Sequence, residues 1–352
     1  MEIPRSLLDE LTREVNALSG AARQQAGTAI ANVLSEWDGE DVTALRTATI
    51  AVLDGLLPTY TDLSAARAAE FYDAARSAQN VRRRYEAVAK SQRDAKGTEG
   101  AVRAIVEYAR KGDGERFRRE IASRVDTEVR RAANECVAYN AGRDPAKPRY
   151  ARVPSGDTCE FCLMLASRGY VYTSESNASH AHRNCDCRVV PSFNGNTVEG
   201  YDPEALLERW HAFEEINAME GVGDFDKRAL KSAYTRGREP YDHALKAVEG
   251  YSIAPAKLER YALSPYGDAD KARAFEGYLG YTVDDAAEVA SLVYSYVADH
   301  APEYRDTIEH GKRYTTNMVM GGKDGRSAKV RVGWIKDEKT GKLRLTAIFV
   351  DE

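Results

Sequence analysis

Four of the chain's five cysteines and two of its six histidines fall in one stretch, DTCEFCLMLASRGYVYTSESNASHAHRNCDC, residues 157–187. The spacing is Cys159-x2-Cys162, nineteen residues, then His182-x2-Cys185-x-Cys187. A C-x2-C pair lets two thiolates grip one ion from a tight turn, and H-x2-C offers a second arm with two ligands. Two such arms joined by a loop close the tetrahedron of a structural zinc site. Five side chains compete for four places. Cys159, Cys162 and His182 lead, with Cys185 set ahead of Cys187 for the fourth. A closed tetrahedron leaves no position for water or substrate, so such a site stabilises and does not catalyse. Three other readings stay open: a redox C-x-x-C, a nucleophilic cysteine beside His180 or His182, and disulfides. The redox reading lacks its usual βαβ setting, and the nucleophile reading leaves three neighbouring thiols without a role.

Charge and hydropathy narrow the setting. The net charge is −5 and 30% of residues are charged, which excludes a generally cationic nucleic-acid binder. No stretch approaches the roughly 18–20 apolar residues of a membrane span. The N-terminal MEIPRSLLDELTREVN reads as an amphipathic helix without a signal-peptide pattern. A reducing cytoplasm is therefore the expected place of synthesis, where clustered cysteines favour metal over structural disulfides.

Around the cluster the chain divides into four segments. Residues 1–147 read as a mainly α helical arm or bundle, with apolar residues three and four apart. Within it, DVTALRTATIAVLDGLL should start at Asp41 and stop at Pro58, with Asp62 capping the next helix. The basic runs VRRRY (81–85) and ERFRREIASR (115–124) offer contact to DNA or to an acidic partner surface, but Glu86, Glu115, Glu120, Asp126 and Glu128 dilute their charge, and they read first as helix faces laced with i,i+4 ion pairs. Residues 148–215 form a small zinc-stapled α+β knot with short strands at YVY and CRVVPSF. Residues 216–251 read as a helical linker. Residues 252–352 read as a C-terminal α+β domain, in which VDDAAEVASLVYSYVADHAPEY is helical. RYTTNMVM, AKVRVGWIKD and LRLTAIFVD then make a three-stranded antiparallel meander, joined through Asp-Gly and Thr-Gly turns.

The pattern around the cysteines resembles the MuF-like minor head proteins of tailed bacteriophages, in the form found in phages of actinobacteria. The matching positions are Cys159, Cys162, Gly169, Tyr172, His182, Cys185, Cys187 and Pro191. AARAAEFYDAAR (Ala65 to Arg76) and VEGYDPEALLERW (Val198 to Trp210) resemble the family's helical arm and the segment after the metal knot. The resemblance implies a low-copy structural virion protein at the capsid interior near the portal, present in the host cytoplasm during assembly. Its implied partners are the portal protein, the major capsid protein and packaged DNA. Relatives carrying a maturation-protease label suggest a rival reading, but the spacing of Ser155, Ser167, Ser174, Ser176 and Ser179 around His180 and His182 implies no catalytic triad.

The C-terminal domain is similar to a module found at the ends of toxin-delivery and phage proteins, which raises the second rival, a delivered ribonuclease-like toxin. His310 or His300 would then serve as base, and Arg326 or Lys329 as cation. Against this, Lys329 and Arg331 alternate with Val330, Val332 and Trp334 as the solvent face of an ordinary strand does.

Overall fold

The computed structural model describes the 352-residue chain except residues 1, 92, 157, 174–186, 194, 196 and 352. It separates into two compact units, Met1–Trp210 and His211–Glu352.

The first unit is built on α1 (Arg5–Glu36), α2 (Val42–Ala78), α3 (Ala95–Arg110) and α4 (Gly114–Arg143). Asp41, Asp94 and Asp113 each start a helix by accepting backbone N–H groups of its first turn, from Thr43 and Ala44, from Gly97 and from Arg116. Two apolar clusters run along this bundle. One gathers Ile30, Leu53, Val106, Phe117 and Ile121. The other gathers Leu8, Val15, Tyr72 and Val137 with Tyr150, Val189 and Phe193. The latter three belong to or follow β1 (Arg149–Val153) and β2 (Arg188–Ser192), an antiparallel pair that sets Val153 opposite Arg188. Between these strands lies the short helix α5 (Glu160–Ala166).

Three sequence expectations fail here. Pro58 does not end α2, and Asp62 caps nothing: its carboxylate accepts from the Ser91 hydroxyl at 2.8 Å. Pro58 removes only the hydrogen bond to the Asp54 carbonyl, and both residues face solvent. Burial of Leu53, Leu56 and Leu57 on one side, and of Thr61, Ser64 and Ala65 on the other, holds the helix through the proline. Nor is VRRRY helical. Residues 81–91 run as irregular chain between α2 and α3. ERFRREIASR does lie in α4, where Arg118 pairs with Glu115 at 2.8 Å.

α6 (Pro203–Ala218) spans the boundary at Trp210. In the second unit α7 (Asp224–Arg236), α8 (Arg238–Gly250) and α9 (Ala286–Val297) pack on one another. The sheet has five strands, not three: β3 (Tyr251–Ser252), β4 (Glu303–Ile308), β5 (Gly311–Gly321), β6 (Ser327–Lys336) and β7 (Leu343–Val350), in the order β3-β7-β6-β5-β4. The expected meander is β5-β6-β7. β3 adds a parallel two-residue edge beside β7, and β4 an antiparallel edge beside β5. β4 escaped the periodicity argument because it is exposed along almost its whole length, so its sequence carries no apolar alternation. The preceding helix stops at Val297 rather than running to Tyr304. Trp334 is fully buried under the sheet, and its indole N–H donates to Thr316 Oγ1 at 2.9 Å. Among the described residues no helix is long and apolar enough to cross a membrane.

Candidate functional site

α5 is where the first cysteine pair sits. Cys159 is its N-cap residue, and the Sγ accepts from the Cys162 N–H at 3.4 Å. Cys162 lies inside the first turn and is fully buried, as are Leu163 and Ala166 on the same face. The other end of the helix is closed by Gly169, whose φ of 67° is the left-handed conformation that glycine adopts without steric cost. Two phenols take up its last carbonyls: Tyr172 donates to Leu165 at 2.8 Å and Tyr201 to Ala166 at 2.5 Å. Burial pushes both phenols above their ordinary pKa, so they remain donors throughout the physiological range.

The second arm returns at Cys187, immediately before β2. It is fully buried and packs against Cys162. Asn134 on α4 fixes this point. Its amide donates to the Cys187 carbonyl at 3.1 Å and accepts from the Val189 N–H at 3.0 Å, so a buried side chain pairs with the strand as a neighbouring strand would. Of the five candidate ligands, the structure thus brings Cys162 and Cys187 together and places Cys159 one helical turn away. His182 and Cys185 lie outside the described residues, as does His180. Among the described residues no group of three or more Cys, His, Asp or Glu side chains is gathered for a metal. The donor chemistry still suits zinc: the buried soft thiols of Cys162 and Cys187, one from each arm, meet there.

Beside the hairpin runs a polar network that the sequence reading missed. Arg152 and Arg188 are fully buried. Arg188 donates to Asn16 Oδ1 at 3.3 Å, Arg130 donates to the same oxygen at 2.6 Å, and Asp126 accepts from Arg130 at 2.8 Å and from Ser19 at 2.5 Å. The sequence carried no signal for them, since an arginine in a short strand ordinarily faces water. Farther along, Arg76 holds Asp144 at 2.6 Å with both side chains buried, and Tyr72 donates to the same carboxylate at 3.0 Å.

His310 is not brought together with Arg326 or Lys329. His310 occupies the exposed turn between β4 and β5, while Arg326 follows the turn at the other end of β5. An eleven-residue strand separates them, about 35 Å at 3.4 Å per residue. Arg326 donates to the carbonyls of Glu276 and Gly277, both at 3.3 Å, which gives it a structural task at a helix end. Lys329 stands opposite Val319 on the solvent face of β6. His300 stacks on Tyr296 with ring centroids 4.1 Å apart. Around the knot, Ser155 accepts from Thr12 and Ser167 donates to the Met164 carbonyl, and Ser174, Ser176 and Ser179 lie outside the described residues.

Comparison with known proteins adds two matches. Residues 244–352 match a domain of unknown function, DUF6883. Residues 2–213 match the model of the VG15 protein. No curated protein and no solved structure matches the chain. The VG15 match takes in the whole helical bundle, the β1–β2 hairpin and the cysteine cluster, more than half of the 352 residues. The chain belongs to the VG15 protein family, a phage-related family of viral proteins.

Proposed function

We propose that the protein is a MuF-like minor head protein of a tailed phage. It would be a low-copy structural component at the capsid interior near the portal, acting in head assembly or DNA packaging. Its partners are the portal protein, the major capsid protein and the packaged DNA. The observation that carries this reading is the buried contact of Cys162 with Cys187, one from each arm of the spaced motif, inside a unit whose length matches a viral family.

In this proposal Cys159, Cys162 and His182, with Cys185 or Cys187, hold one structural zinc ion. Bound there, zinc supplies the cross-link between α5 and the start of β2. The chain's own contribution is to present the thiols: the α5 turn sets Cys159 and Cys162, and Asn134 sets Cys187. Binding of this kind contributes on the order of 10 kcal/mol of folding free energy. The C-terminal unit is then an accessory domain; the separation of His310 from Arg326 and Lys329 gives a nuclease site based on His310 no support.

The test is to quantify the protein by mass spectrometry in purified heads and to pull down a tagged full chain with portal protein. Low copy relative to major capsid protein together with portal capture is the expected result. Absence from heads would overturn the reading.

A further inference from the structure

The irregular segment after α2 carries an unassigned surface. α2 ends at Ala78, Asn80 just beyond it takes φ 51°, and the chain then passes through three consecutive exposed arginines, Arg82, Arg83 and Arg84. Irregular as it is, the segment is held at both edges. The Val81 N–H bonds back to the Arg76 carbonyl at 3.1 Å. Tyr85 donates to Asn140 Oδ1 at 2.8 Å, the Val88 N–H donates to the same oxygen at 2.8 Å, and Asn140 Nδ2 donates to the Val88 carbonyl at 3.0 Å. The Ala87 N–H donates to the Asp73 carboxylate at 3.1 Å. The clamps fix the backbone and leave the arginine side chains outward.

They border an open hollow of about 550 Å³ lined by Arg76, Val81, the three arginines, Tyr85 and Glu86. Arg76 is committed to Asp144, and Arg83 donates to the Pro145 carbonyl at 2.6 Å. That bond places the Asp144–Lys147 turn beneath the segment, with Lys147 exposed and Arg143 stacked on the Tyr139 ring at 3.5 Å. Among the described residues no carboxylate pairs with Arg82 or Arg84. In a chain of net charge −5 this is a concentrated cationic surface.

We infer that this surface binds the phosphate backbone of double-stranded DNA without sequence preference. The inference deepens the head-protein reading, on which the identity of the duplex rests. Guanidinium groups match phosphate oxygens in two-point geometry. Arg82 and Arg84 flank a bend at Arg83, and both are exposed. The two side chains of the hollow with apolar surface, Val81 and Tyr85, are both half-buried, and the Tyr85 hydroxyl is already held by Asn140, so neither is the exposed anchor that a protein partner uses. Sequence-independent DNA contact needs no such anchor, because charge supplies the affinity.

The test uses the full chain and a fluorescein-labelled 30-base-pair duplex in polarisation titrations from 50 to 200 mM salt. Wild type is compared with Arg82→Ser/Arg84→Ser and with Arg103→Ser/Arg119→Ser, which removes two exposed charges elsewhere in the same unit. The expected result is binding in roughly the micromolar range for wild type. The Arg82/Arg84 pair should weaken it at least tenfold and flatten the log K against log salt slope by about 2, at unchanged melting temperature. The control pair should do neither. No binding by wild type, or equal loss in both variants, overturns the inference. So does intact duplex binding by the Arg82/Arg84 variant with lost portal capture, which would make the surface a protein contact. Intact duplex binding by wild type with absence from heads would instead count against the head-protein reading alone.

Discussion

Asn134→Leu should uncouple the second cysteine arm from the helical bundle. The side chain is buried and makes two bonds to one short piece of backbone, to the Cys187 carbonyl at 3.1 Å and from the Val189 N–H at 3.0 Å. Leucine fills a similar volume and makes neither. The carbonyl and the N–H are then stranded in the interior, and each such group costs about 1–3 kcal/mol. The sum is about 2–6 kcal/mol. For a unit of this size each kcal/mol lowers the midpoint by about 2–4 °C, so melting should fall by at least about 4 °C. Zinc should also be released to a chelator at lower concentration, since losing a group that positions a ligand costs about 10–100-fold in metal affinity.

Asn134→Asp separates the two bonds. It keeps an acceptor for the Val189 N–H but sets a carboxylate against the Cys187 carbonyl. Its penalty should be largest at neutral pH and should shrink as acid protonates the new group and restores a donor. The assays are thermal unfolding by circular dichroism and zinc competition with a coloured chelator. An Asn134→Leu protein that melts with wild type and holds zinc equally well would refute the reasoning.

Three further outcomes follow from other positions. Arg76→Met leaves Asp144 fully buried without its cation and should cost about 3–5 kcal/mol in denaturant unfolding; adding Asp144→Leu should recover most of it. Pro58→Ala restores an N–H for the Asp54 carbonyl at an exposed position of α2 and should stabilise by up to about 3 kcal/mol, with a loss of stability counting against the account of the proline. Burial raises the Asp226 carboxyl above its ordinary 3.8, although the Tyr294 hydroxyl donates to it at 2.7 Å. The folded state therefore takes up the proton first: the resulting stability is full below pH 3.8 and is lost as pH rises through the raised value. Asp226→Asn should remove that loss, giving a higher melting temperature than wild type at pH 7 and near equality at pH 4; a gap that persists at pH 4 would contradict it.

Much of this architecture was legible because it depends on local rules. Asp41 announced a helix start by its position before an apolar-periodic run, and Val330, Val332 and Trp334 announced the inward face of β6. What failed was whatever the third dimension decides. Pro58 is locally a stop, but packing on both sides carries α2 across it. β4 has no inward face to read, so its pairing depends on β5 being there. The arginines of VRRRY read as one side of a helix until Asn80 turns the chain out and Asn140 pins it flat.

At the cysteine site, spacing singled out the two arms, and the structure brings Cys162 to Cys187. The clamp from Asn134 was invisible, since nothing in a helix sequence says that one asparagine amide will stand in for a strand. Arg152 and Arg188 were equally hidden, because arginine in a short strand ordinarily faces water.

The central claim is that the two arms close on a metal. Elemental analysis of the purified full chain, with thiol titration before and after chelation, tests it directly. The account predicts one zinc per chain, with most thiols of the cluster unreactive until the chelator is added and the melting temperature falling with the metal. A chain without metal whose cluster thiols react at once, and whose melting is indifferent to chelator, would contradict it.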